Sequence, residues 1–69
     1  MTESVYKIIE IVGTSAKSWE DAAKTAVERA AKSLRDLRVA EVSKLDMVIE
    51  NGVVALYRAR VTVSFKSED

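Results

Sequence analysis

"IENGVVALYRARVTVSF", residues 49–65, reads as the turn and second arm of a β-hairpin. Asn51-Gly52 is the strongest short hairpin signal, because both central residues of a type I′ turn need positive φ. Beyond the turn, Val53, Ala55, Tyr57, Ala59, Val61, Val63 and Phe65 share one side of a strand. Val54 and Leu56 put apolar groups on the other side as well. Both faces of this arm therefore ask to be covered.

Working upstream, Leu37 to Glu50 alternates with period two and supplies the first arm. A two-residue loop sets the register. It places Val48 opposite Ala55, Val42 opposite Val61 and Ala40 opposite Val63, on the side of Tyr57 and Phe65. On the reverse side it sets Ile49 against Val54, Met47 against Leu56, Leu45 against Arg58 and Ser43 against Arg60.

Residues 4–12, "SVYKIIEIV", are β-branched and aromatic enough for a further strand. Gly13 is read as its breaker, opening the loop "GTSAKS". A helix is expected from Ser18 to about Arg35. The Ser18 hydroxyl caps it, Asp21 resembles the far corner of a capping box, and Glu20 suits the helix dipole. Trp19, Ala22, Ala23, Ala26, Val27, Ala30 and Leu34 recur at three- and four-residue steps and form one apolar stripe. Lys24, Glu28, Lys32 and Arg35 take the wet side.

The order is β-α-β-β, an α+β fold in one domain spanning residues 1–69. A helical crossover makes the first two strands parallel, so the third, lying between them, gives a fully antiparallel three-stranded sheet. The expected helix is roughly 27 Å long at 1.5 Å per residue, against about 46 Å for the last strand. The strands outrun their helix. Ile49, Met47, Val54 and Leu56 then stand on the face that the helix does not use, and a patch of this kind marks an interface. Other copies of the chain are expected to cover it.

Composition points the same way. The chain has 69 residues, near the size where a single core becomes marginal. It has no Cys and no His, which removes disulfides, thiolate or imidazole metal sites and the usual nucleophile–base pairs. Any metal is left to carboxylates and carbonyls, which suit calcium or magnesium. Lys plus Arg and Asp plus Glu are each 11, with no clustered basic face to suggest nucleic acid. No apolar run is long enough for a membrane span, and the N-terminus lacks a signal-peptide pattern. A soluble cytoplasmic protein is the expectation.

Chemistry has few footholds. Asp46 and Glu50 lie two steps apart on one strand, but no histidine, cysteine or glycine-rich phosphate loop supports acid–base work. Ser15 and Ser18 lack an activating base and read as capping and loop donors. Arg58 and Arg60 fall on the face opposite the core, near Arg38 and Lys44. They read as salt-bridge partners of Glu41, Glu50 or another subunit, or more sharply as an anion lining. Trp19, beside the cap, reads as a clamp between helix and sheet or neighbour.

"VYKIIEIVGTS", then a helix, then "LRVAEV" and "YRARVTVSF", resembles the dodecin family across nearly the whole chain. The resemblance implies a β-α-β-β protomer whose sheet partly wraps the helix, assembled as a hollow homododecamer of trimers. Many such proteins store flavin. Flavin-binding members have a tryptophan just before "AEV" and a glutamine after the third-strand tyrosine, where this chain has Val39 and Arg58. The first change removes a stacking platform worth about 1–3 kcal/mol. The second replaces an amide that donates and accepts with a permanent donor. The usual flavin stack is therefore expected to be lost.

"TSAKSWEDAA", "LRVAEVSKLDM" and "YRARVTVSFK" look like the calcium-binding branch of that family. That likeness implies a non-enzymatic binding or storage oligomer for a divalent cation such as calcium. Calcium takes six to eight oxygens and no EF-hand pattern is present, so an intersubunit site is the expected form. Asp46, Glu20 and Glu50 are the carboxylates to test first. The competing readings are a flavin-buffering dodecin with a different pocket lining and a purely structural oligomer; an enzyme subunit has almost no residue support.

Overall fold

The computed structural model describes residues 4–66. The expected domain limits at either end lie outside the described residues. Four elements follow one another: β1 (Tyr6–Ser15), α1 (Trp19–Ala30), β2 (Leu37–Glu50) and β3 (Val53–Lys66). The sheet order is β1-β3-β2, antiparallel throughout, with β3 in the centre as its pattern requires. Asn51 (φ 53°) and Gly52 (φ 76°) both take positive φ in the β2–β3 turn.

The core is small and built from alternate residues of β3. Ala59, Val61 and Val63 are fully buried beneath Ala22 of α1, with Ile9, Ile11, Ala23, Val27 and Leu37 packed around them. These alanines let the helix lie close to the sheet, though each buries little area. The helix sits on β1 and β3 and scarcely touches β2.

Three expectations are corrected. Gly13 does not break β1, which runs on through Thr14 to Ser15. Gly13 is buried because α1 crosses over it; a Cβ there would run into the Ala22 carbonyl and lie 2.8 Å from the Ala26 Cβ. Its role is close approach, not chain reversal.

The helix also ends at Ala30, short of Arg35. Its last carbonyls are taken by tighter bonds, Lys32 N to Arg29 O and Ser33 N to Ala30 O. Asp36 at φ 58° then turns the chain into β2. At 1.5 Å per residue, the 12-residue helix is about 18 Å long, against about 46 Å for the 14-residue strands. The disparity is wider than the sequence indicated.

The third correction is the hairpin register. Glu50–Val53 and Ile49–Val54 pair as expected, but an extra residue at Ala55 shifts the ladder by one. Val48 then faces Leu56, Met47 faces Tyr57, Asp46 faces Arg58 and Leu45 faces Ala59. A second irregularity at Ser43 restores the register, so Val42–Val61 and Ala40–Val63 stand as the simple hairpin required. Met47 and Leu45 consequently share the helix-bearing face, beyond or beside the helix, and do not lie on its reverse.

Among the described residues, eleven large apolar side chains remain exposed, from 43% at Val54 to 65% at Ile8 and Val53. Among the same residues, five buried apolar side chains make up the core, and only two of those, Val61 and Val63, are larger than alanine. Apolar surface of this extent on both sides of a sheet is an interface signature.

Candidate functional site

The start of α1 is pinned to the sheet by short polar contacts. Ser18 caps the helix, its hydroxyl accepting from Asp21 N at 3.0 Å. Asp21 does not close a capping box; its carboxylate accepts from the buried Ser15 hydroxyl at 2.7 Å instead. Ser15 Oγ accepts in turn from Lys17 N at 2.9 Å. The reason is the extension of β1, which carries Ser15 under the helix where Asp21 can reach it. Both serine hydroxyls make the cap and loop hydrogen bonds that the sequence indicated.

Immediately after the cap, the Trp19 ring meets Tyr57 edge-on, centroids 5.1 Å apart and planes at 69°. Trp19 Nε1 donates to the Asp46 carbonyl at 2.9 Å. A single side chain thus ties α1 to both β2 and β3. Asp46 is held at its other end too. Arg58 Nε donates to Oδ1 at 2.7 Å and Nη2 to Oδ2 at 2.8 Å, a two-pronged fork across the strands. Sequence reasoning had offered Arg58 to Glu41, Glu50 or another subunit; the residue shift at Ala55 hands it to Asp46.

The Arg58 hydrogen bond, aided by the charges of Arg58 and Arg60, holds the Asp46 carboxyl below its ordinary value of 3.8. The carboxylate raises Arg58 still higher. Because the folded value lies below the unfolded one, the pair stabilises above 3.8 and loses that contribution as pH falls through the folded value. Both groups face solvent, which keeps the effect small. D46N should flatten the acid limb of a plot of urea midpoint against pH; an identical limb in both proteins would show the fork contributes nothing.

The other candidate residues are dispersed. Glu20 is exposed on the first turn of α1 and borders an open apolar cleft of about 280 Å³ with Trp19, Ala23, Val42 and Leu45. Glu50 is exposed beside the hairpin turn, opposite Val53. Among the described residues no three acidic side chains gather into a metal-sized group. Glu20, Asp46 and Glu50 do not make a cage within one chain.

Val39 is 63% exposed on the sheet face away from α1, opposite Ser64. Arg58 is on that same face, six residues along β3 from Ser64, about 20 Å at 3.3 Å per residue. One chain cannot set both against a single ring. Among the described residues no helix is long and apolar enough to cross a membrane.

These features define a class: a β-α-β-β module that pins one short helix to a long, open sheet and leaves most of that sheet uncovered. The dodecin family model matches residues 5–68, and the chain belongs to the dodecin family. It is 51% identical over 63 residues to the calcium dodecin of Mycobacterium tuberculosis, covering 91% of this chain and 89% of that one. It is 38% identical over 65 residues to the dodecin of Thermus thermophilus, covering 94% of each. Among solved structures, the dodecin from Streptomyces coelicolor superposes with a TM-score of 0.93 at 35% identity, over 100% of this chain and 99% of that one. The Mycobacterium tuberculosis calcium dodecin, described as a calcium-chelating antigen with a novel calcium-binding site, superposes at 0.84 with 50% identity, over 94% and 93%.

Proposed function

We propose that this chain assembles as a homododecamer of trimers and binds a divalent cation, calcium, between copies, as a storage or buffering protein without catalytic activity. The observation that carries the ligand class is the Arg58–Asp46 fork. The position that would meet the polar edge of a flavin is filled by a cation already locked to a carboxylate, and Val39 offers no aromatic platform. The likeness to the calcium dodecin of Mycobacterium tuberculosis supports the same direction. Calcium requires more oxygens than one chain gathers, so Asp46, Glu20 and Glu50 act from different copies. Asp46 retains lone pairs beyond those that Arg58 uses.

The assembly rests on the exposed apolar surface, too large for a stable monomer with so small a core. Light scattering is expected to return a dodecamer, and equilibrium dialysis a saturable calcium uptake. A single-chain mass would remove the assembly; no saturable uptake at millimolar calcium would remove the ion. A yellow preparation with quenched flavin fluorescence would turn the reading toward flavin storage.

A further inference from the structure

The start of α1 and the middle of β2 stand apart, because the helix rests on β1 and β3 and scarcely meets β2. Val42 and Leu45 nevertheless belong to the helix-bearing side, since they pair with the buried Val61 and Ala59. The gap is the open cleft of about 280 Å³ walled by Trp19, Glu20, Ala23, Val42 and Leu45. Two polar side-chain groups border it, the Glu20 carboxylate and the indole N–H, and the latter is already given to the Asp46 carbonyl. Two features are left unused by the contacts that seat the helix. Tyr57 meets the indole in a T-shaped contact, which takes at most one of its two faces. Glu20 is exposed, and among the described residues the one ion pair is Arg58–Asp46, so Lys24 one turn on makes no ion pair with it.

We propose that this cleft binds a small organic ammonium ion, with Trp19 as its aromatic wall and Glu20 as the counter-charge. An indole attracts a cation to its face more strongly than any other side-chain ring, and quaternary ammonium groups are favoured guests of such walls. The clamp made by Trp19 serves this role, because a ring held by its N–H bond at 2.9 Å and by Tyr57 has little freedom left to lose on binding. Ala23, Val42 and Leu45 cover the guest's alkyl groups, whose burial is favourable. Calcium suits the same cleft poorly, since it takes six to eight oxygens and one chain presents a single carboxylate there. An anion is repelled by Glu20, and a neutral apolar guest leaves that charge unanswered. The volume of about 280 Å³ falls just below the roughly 300–1,000 Å³ of ordinary small-molecule pockets, which limits the guest to a compact head group. The proposal goes beyond the calcium reading and does not rest on it.

Trp19 is the one tryptophan of the chain, so its emission reports on this cleft alone. The full chain is titrated with choline at ionic strength held constant with NaCl, which keeps general screening out of the result. The expected result is a saturable change in Trp19 emission at millimolar choline. The same titration with 3,3-dimethylbutan-1-ol, which has choline's shape and no charge, is expected to give no saturable change. Glu20→Gln removes the counter-charge from an exposed first-turn position and should weaken choline roughly threefold or more, as the loss of one partly screened ion pair would. All titrations run in calcium-free buffer, so the outcome of calcium dialysis has no bearing on them. Emission that follows choline only as it follows NaCl overturns the proposal. So does an equal response to the neutral alcohol, or an E20Q curve that matches wild type.

Discussion

Gly13→Ala is expected to be among the most damaging single substitutions in this chain. The added methyl would collide with the Ala22 carbonyl and lie 2.8 Å from the Ala26 Cβ. The first obstacle is helix backbone, which cannot rotate away as a side chain could. Relief requires α1 to lift from β1, and the fully buried Ala22, Ala59, Val61 and Val63 are packed in that same layer. Overpacking of a tight core costs about 1–3 kcal/mol, and an obstructing carbonyl puts this case at the upper end. In so small a domain that is a large share of the total. Urea unfolding should show a lower midpoint and light scattering a loss of assembled mass. A midpoint equal to wild type would mean that the helix is not seated on Gly13 as described.

The second large effect concerns ligand choice. V39W/R58Q is expected to raise affinity for riboflavin or FMN at least tenfold. Val39 projects from the open face, so a tryptophan there has room to present its ring. Stacking contributes about 1–3 kcal/mol per ring, and about 1.4 kcal/mol is a factor of ten. Arg58→Gln releases the fork from Asp46 and supplies an amide that both donates and accepts. Titration of flavin fluorescence against both proteins measures the difference. Equal quenching curves would show that these two positions do not face a flavin.

Much of the fold was legible in the chain itself. Asn51-Gly52 placed the hairpin, and the apolar alternation from Tyr57 to Phe65 marked its second strand, because both signals are local and need no knowledge of the rest. The Ser18 cap and the alanine stripe were readable for the same reason. Sequence was misleading at Gly13, where a glycine that permits helix contact looks identical to one that ends a strand. It was silent at Ala55. Nothing in "VVALY" announces an extra residue in the ladder, and strict alternation assigned Arg58 to Leu45. The site suffered most from this, since the Arg58–Asp46 fork exists only in the shifted register.

The amino-acid sequence by itself determined the β-α-β-β order, the hairpin turn at Asn51-Gly52 and the exclusion of cysteine and histidine chemistry. Each follows from residue type or short-range periodicity, which the chain carries without being folded. Tertiary structure alone decided that Gly13 is a seat for the helix, that Trp19 joins three elements, and which carboxylate Arg58 holds. Those depend on distances between segments far apart in the chain, and a single inserted residue in one strand is enough to redirect them.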